Sequence, residues 1–198
     1  MSSPAQGLGE RGSARERILE TAYDLFSRHG TRAVGVDRII AESGVAKMSL
    51  YRNFRSKDDL VLAFLQAREQ RWTRDWLQAE ATRRADTGAG RLLAIFDVFD
   101  EWFQKPSFEG CSFINVLLEY DDPEHPIRIA SAAHLATIRG LVRDFAVQAG
   151  VEDPDAVAGQ WHILMKGSIV AAGEGDLEAA RRARRLGELL LESEGAQP

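Results

Sequence analysis

Residues 31–60, TRAVGVDRIIAESGVAKMSLYRNFRSKDDL, constrain the fold more than any other stretch of the chain. Val36, Ile39 and Ile40 form an apolar stripe at helical spacing, Ser43-Gly44 breaks it, and Val45, Leu50, Tyr51 and Phe54 recur at the same spacing beyond the break. The pattern predicts a helix, a tight glycine turn and a second helix barely two turns long. A short turn containing glycine lets two helices cross steeply, so that one braces a phosphate backbone while the other enters a major groove. Lys47, Met48, Ser49 and Arg52 point away from the apolar side formed by Val45, Leu50 and Phe54. One side can pack and the other can read bases.

The rest of the chain repeats helical spacing, and no strand alternation occurs. Ser13 and Glu16 form a capping box before Ile18, Ala22, Leu25 and Phe26, and Gly30 ends that first helix. Ser56 and Asp59 open a fourth helix through Leu60, Phe64, Ala67, Trp72 and Trp76 toward Arg84, with no Gly or Pro inside it. Its length predicts a rod of roughly 42 Å. The segment ADTGAGR ends it, and further helices are expected near residues 90–104, from about Cys111, and at 127–149. Asp153-Pro154 starts an eighth and Asp176 opens a ninth. Residues 1–12, with Pro4, Gly7, Gly9 and Gly12, read as a flexible arm.

A net charge of −5 conceals an asymmetry that matters for partners. Residues 1–57 carry ten Lys and Arg against six Asp and Glu, whereas the remainder carries fifteen against twenty-four. A basic head on an acidic body docks one end onto phosphates, because the body is repelled from the same polyanion. With 44% apolar residues the chain can bury a core. It contains no apolar run of the roughly 18 residues that a membrane span requires, and residues 1–17 lack the hydrophobic region of a signal peptide. The expected location is the cytoplasm, without membrane contact. A single cysteine, Cys111, excludes an internal disulfide framework.

From Gly44 to Leu60 the order Gly-Val, small and polar residues, Leu-Tyr, Phe, then Ser-Lys-Asp-Asp-Leu resembles the TetR/AcrR family of bacterial transcriptional regulators. The similarity extends over residues 14–64, about a quarter of the chain. Two positions depart from it. Gly35 stands where the family often has a capping threonine, and Ala46 replaces the usual capping serine, a change worth about 0.5–2 kcal/mol. No side-chain phosphate contact is carried onto either.

The resemblance implies an all-α protein of about nine helices. Residues 13–57 would form an N-terminal three-helix helix-turn-helix domain, and residues 58–198 a larger domain for effector binding and dimerisation. It further implies DNA contacts at Arg38, Lys47, Met48, Ser49, Tyr51, Arg52 and Lys57. These residue types fit such contacts, because Lys donates to guanine O6 and N7, Met meets a thymine methyl, and Lys57 lies at the phosphate-attracting start of the fourth helix. A mostly apolar effector pocket is expected among Trp72, Phe99, Trp102, Phe103, Cys111, Phe113, Asn115, His134, Trp161, His162 and Met165. The same rings read equally as core. Gly167, Ser168 and Ala171 permit close helix approach, and Leu186, Leu189 and Leu190 offer surplus apolar face, so the last two helices are expected to pair in a homodimer.

The expected partners are therefore a palindromic double-stranded DNA operator, a small apolar or amphipathic effector, and a second copy. The expected role is a repressor released by its effector. Cys111 also admits two readings, a redox-sensing thiol at a helix start or a buried inert one. A redox-gated or effector-independent regulator is thus an alternative, and an enzyme or small-molecule carrier a more distant one. His29, His125, His134 and His162 form no metal-binding spacing, and no phosphate loop or nucleophile motif occurs. Neither a cofactor nor catalysis is expected.

Overall fold

The structure, a computed structural model, describes residues 12–196, so the expected N-terminal arm lies outside the described residues apart from Gly12. These residues form nine helices and no strand. They divide into two compact units between Phe64 and Leu65. No helix among them is long and apolar enough to cross a membrane.

The first unit holds α1 (Ala14–His29), α2 (Val36–Ser43), α3 (Lys47–Asn53) and the opening of α4 (57–84). The capping box of α1 is complete, with Ser13 Oγ accepting from Glu16 N and Glu16 Oε2 from Ser13 N at 2.7 Å. Its buried stripe, Ile18, Ala22, Leu25 and Phe26, is the one its spacing predicts. Phe64 meets Tyr23 and Phe26 edge to face at 5.4 and 5.5 Å, an arrangement that adds about 0.5–1.5 kcal/mol per pair beyond burial. Ser56 Oγ accepts from Asp59 N at 3.0 Å, but the Asp59 carboxylate returns to the N–H of Arg55 and not to that of Ser56.

The second unit holds the rest of α4 with α5 (Gly88–Phe103), α6 (Ser112–Glu119), α7 (Pro126–Ala149), α8 (Pro154–Gly173) and α9 (Ala179–Ser193). The helix expected as a plain α-rod is not uniform, because Glu69–Gln78 is wound as a π-helix. Two i,i+5 side-chain pairs suit that register, Arg74 Nη2 to Glu69 Oε1 at 2.9 Å and Gln70 Nε2 to Asp75 Oδ1 at 2.7 Å. Thr87 Oγ1 accepts from Gly90 N, which draws Gly88, Ala89 and Gly90 into the first turn of α5 instead of leaving them as a breaker. Asp176 Oδ1 accepts from Glu178 N in a turn, so α9 begins three residues later than expected, at Ala179.

α5 is the central helix of this unit. It buries Leu92, Phe96, Phe99 and Phe103 and packs on α7 and α9, while α7 also packs on α6 and α8. Each such side chain contributes about 1.5–3 kcal/mol on full burial. Asp153 Oδ1 caps α8 by accepting from Asp155 N and Ala156 N. Trp161 on α8 is fully buried against Phe96, 5.3 Å between ring centres, and seats over Gly187 of α9. A Cβ on Gly187 would lie 2.6 Å from the Trp161 ring.

Candidate functional site

The turn between α2 and α3 is three residues long, Gly44 to Ala46, and depends on Gly44 at φ 65° and ψ 29°, a left-handed conformation that glycine adopts without Cβ strain. Val45, Leu50 and Phe54 are buried, and the Arg15 guanidinium lies 5.0 Å over the Phe54 ring. That packing turns the opposite face of α3 to solvent. Met48 is 68% exposed. Tyr51 is 43% exposed, Lys47 and Arg52 are exposed, and Ser49 is half-buried. Neither Gly35 nor Ala46 makes a side-chain cap, so α2 and α3 start on backbone alone.

Five of the seven expected contact residues thus share α3. Lys47 Nζ lies 3.6 Å from Asp37 Oδ1 in a pair that is open to solvent on both sides. Arg38, on α2, gives Nε to Glu42 at 2.7 Å and places Nη2 3.3 Å from His29 Nε2, so its fork is engaged within the unit. Lys57 opens α4 and donates to the Arg32 carbonyl at 3.4 Å. Reasoning from sequence omitted Arg55, whose side chain is 91% exposed beside Asp59, and the Asp37 counter-charge. Arg55 follows α3 and Asp37 lies in the first turn of α2, and spacing alone did not show which way they point.

The expected pocket residues separate into four groups. Trp72, Phe99, Trp102 and Phe103 belong to one ring cluster with Trp76 and Phe108, centre distances running from 4.8 to 6.1 Å. Phe113 stacks on His134 at 5.1 Å, and His134 Nδ1 lies 2.5 Å from Glu69 Oε2. Burial pushes the Glu69 carboxyl up, but hydrogen bonds from His134 and Arg74 outweigh it and hold the group below the usual carboxylate range. Trp161, His162 and Met165 are buried on α8. Burial, aided by Lys166 and Arg139, lowers His162 to about 4.

Cys111 and Asn115 line a cleft of about 460 Å³ at the start of α6, closed on the other side by Ile169, Val170 and Gly173 of α8. Cys111 is buried, and burial pushes its thiol up. That is the opposite of the lowered pKa found in reactive thiols.

The last two helices present an apolar face. Leu186 and Leu189 are 52% and 61% exposed, and Ile163 and Val170, not singled out from sequence, are 67% and 53% exposed. Gly167, Ala171 and Ser168 line a groove of about 290 Å³ between α8 and α9. Ser168 is itself buried and donates to the Met165 carbonyl at 2.9 Å, and Leu190 is half-buried.

Residues 18–64 match the model of bacterial regulatory proteins of the tetR family, and residues 88–186, half of the chain, match a tetracyclin repressor-like C-terminal domain. The chain belongs to the TetR family of transcriptional regulators. It is 30% identical to SCO4454, a TetR-family regulator from Streptomyces coelicolor, with a TM-score of 0.82 over 96% of this chain and 97% of that one. It is 28% identical to sav143, a TetR-type regulator from Streptomyces avermitilis, also at a TM-score of 0.82, over 94% and 100% of the two chains. Among curated proteins it is 45% identical over 53 residues to the uncharacterised regulator YxaF of Bacillus subtilis, 26% of this chain and 28% of that protein. It is 32% identical over 62 residues to QacR of Staphylococcus aureus, 31% and 33% of the two lengths. These curated matches therefore span about a third or less of the relatives' length. As a TetR-family member the protein is a DNA-binding, helix-turn-helix regulator.

Proposed function

We propose that the protein is a homodimeric repressor that binds a palindromic operator in the cytoplasm and is released by a small apolar or amphipathic effector. Residues 13–57 read DNA, and residues 58–198 bind the effector and pair the two copies. The exposed face of α3, with Lys47, Met48, Tyr51 and Arg52 held outward by the burial of Val45, Leu50 and Phe54, carries this reading. It offers cations for phosphate and guanine and an apolar tip for a thymine methyl. The apolar face of α8 and α9 supports pairing, and the Cys111–Asn115 cleft is the effector site. The effector acts through its preference for the state that does not bind DNA, and affinity falls by the ratio of its affinities for the two states. α4, with residues in both units, carries the change.

Selection of bound sequences from a random DNA library by the purified protein at moderate salt tests the reading. Recovery of two inverted half-sites about one helical turn apart supports a dimeric reader. No enrichment by a folded protein rejects it. A redox-gated regulator draws no support from Cys111, whose thiol is buried and hard to ionise. Peroxide that releases wild type but not Cys111→Ser from DNA would reverse that judgement.

A further inference from the structure

Three features that each weaken a helical domain meet at one cleft of the second unit. The first is the π-winding of Glu69–Gln78, a rare geometry that recurs frequently at functional sites. The second is Gly140, in the interior of α7, where glycine is a poorer helix former than alanine. A Cβ at Gly140 would meet nothing within 4 Å, so the residue is not there for close packing. The third is Thr73, 2% exposed, whose buried Oγ1 has no hydrogen-bond partner. Thr73 and Gly140 both line a cleft of about 360 Å³, with Arg74 and Gln78 on the π-wound side and Arg143 and Asp144 on the α7 side. A native domain rarely leaves a buried hydroxyl unpaired without a reason, and local rules are broken where function requires it.

The lining groups specify the chemistry of an occupant. Donors predominate. Arg143 gives only Nε to Asp155, 2.8 Å away in an exposed pair, so its two terminal nitrogens are available. Arg74 holds Glu69 through Nε and Nη2 and keeps Nη1. Thr73, at the wall of the cleft, holds a buried Oγ1 whose donor is unspent. Asp144 is the one carboxylate of the lining and disfavours a multiply charged anion.

We propose that this cleft binds a small organic carboxylate, held by the Arg143 fork with Arg74, and completed by a hydrogen bond from Thr73. It has no lining residue in common with the Cys111–Asn115 cleft. The protein thus has a second ligand site of different polarity from the apolar effector site, and its occupation does not depend on DNA or on that effector.

Benzoate titrated into the ¹⁵N-labelled full chain tests the assignment, with backbone amide shifts as the readout. Saturable shifts confined to residues 73–78 and 137–144 are expected. Thr73→Val, which keeps the shape and loses the donor, should weaken binding about tenfold. Gly140→Leu should abolish it by filling the cleft. Gly140→Ala, compatible with the helix and less bulky, should retain weaker binding and shows that the loss is not unfolding. Inorganic phosphate should bind more weakly than benzoate. The proposal is overturned by absence of saturable benzoate binding, by equal binding in folded Gly140→Leu, or by phosphate binding as tight as benzoate.

Discussion

Replacing Lys47 and Tyr51 together with alanine removes a cation and a phenol from the exposed face of α3 without touching Leu50 or Phe54 beneath it. The 3.6 Å pair of Lys47 with Asp37 does not argue against a role in DNA binding. A pair this exposed contributes roughly 0–1 kcal/mol and yields readily to a base or phosphate. A specific base contact is worth about 1–3 kcal/mol, so loss from both half-sites of a dimer costs about 2–6 kcal/mol at Lys47 alone. The double variant should therefore lose operator binding in an electrophoretic shift while sedimenting as a dimer. Unchanged binding would remove these residues from the site. His162 makes a prediction of a different kind. Its folded-state value of about 4 lies below the ordinary 6.5, so the unfolded chain takes up the proton first as pH falls. Stability on this account is complete above pH 6.5 and is lost toward pH 4, up to about 3 kcal/mol over the whole window. Urea unfolding at pH 7 and 4.5 should show wild type losing about 2 kcal/mol more than His162→Gln. Parallel pH dependence of the two would mean that the imidazole is not kept neutral by burial.

Among the helices, α8 and α9 show how closely element packing follows single residues. Trp161 is fully buried over Gly187, and a Cβ there would enter the ring at 2.6 Å. Gly187→Ala should destabilise the protein by about 1–3 kcal/mol in denaturant unfolding, the usual cost of overpacking. Gly159→Ala, on α8 with nothing within 4 Å of its Cβ, should stabilise by up to about 1 kcal/mol. The contrast separates packing from helix propensity. It also marks what could be read from the chain alone. The stripe Ile18, Ala22, Leu25 and Phe26, the Ser13 cap and the Gly44 turn were legible because each is local, set by residues within one or two turns. The π-winding was not, since residues 69–78 contain no Gly or Pro to signal it and its i,i+5 pairs make sense only once the register is known. Cleft walls were hidden for another reason. Cys111 and Ile169 meet across 58 positions, and periodicity carries no information at that range. Spacing likewise placed Ser168 with Gly167 and Ala171, although its side chain turns inward.

At the level of the whole molecule, the proposed reading requires two copies. A recognition helix of seven residues presents few contacts, and one such helix gives weak and poorly selective binding. Joining two heads makes the second binding event intramolecular and raises affinity by about 10²–10⁴ without any new contact to DNA. Leu186 and Leu189 are the leucines of α9 that are more than half exposed, and the face they share with Ile163 and Val170 of α8 is the surface proposed to supply this pairing. Exchanging both leucines for glutamate leaves the core of the single chain intact, because neither is buried in it. Across a two-fold axis the same change sets like charges in an apolar contact and should separate the copies. The double variant Leu186→Glu, Leu189→Glu should therefore sediment as a folded monomer. Its operator affinity should fall by about the same 10²–10⁴, although Lys47, Tyr51 and Arg52 are untouched. Lys47→Ala with Tyr51→Ala has the complementary defect, a dimer that does not read. A Leu186→Glu, Leu189→Glu protein that remained dimeric and bound DNA at wild-type strength would place the pairing surface elsewhere, and the exposed face of α8 and α9 would need another partner.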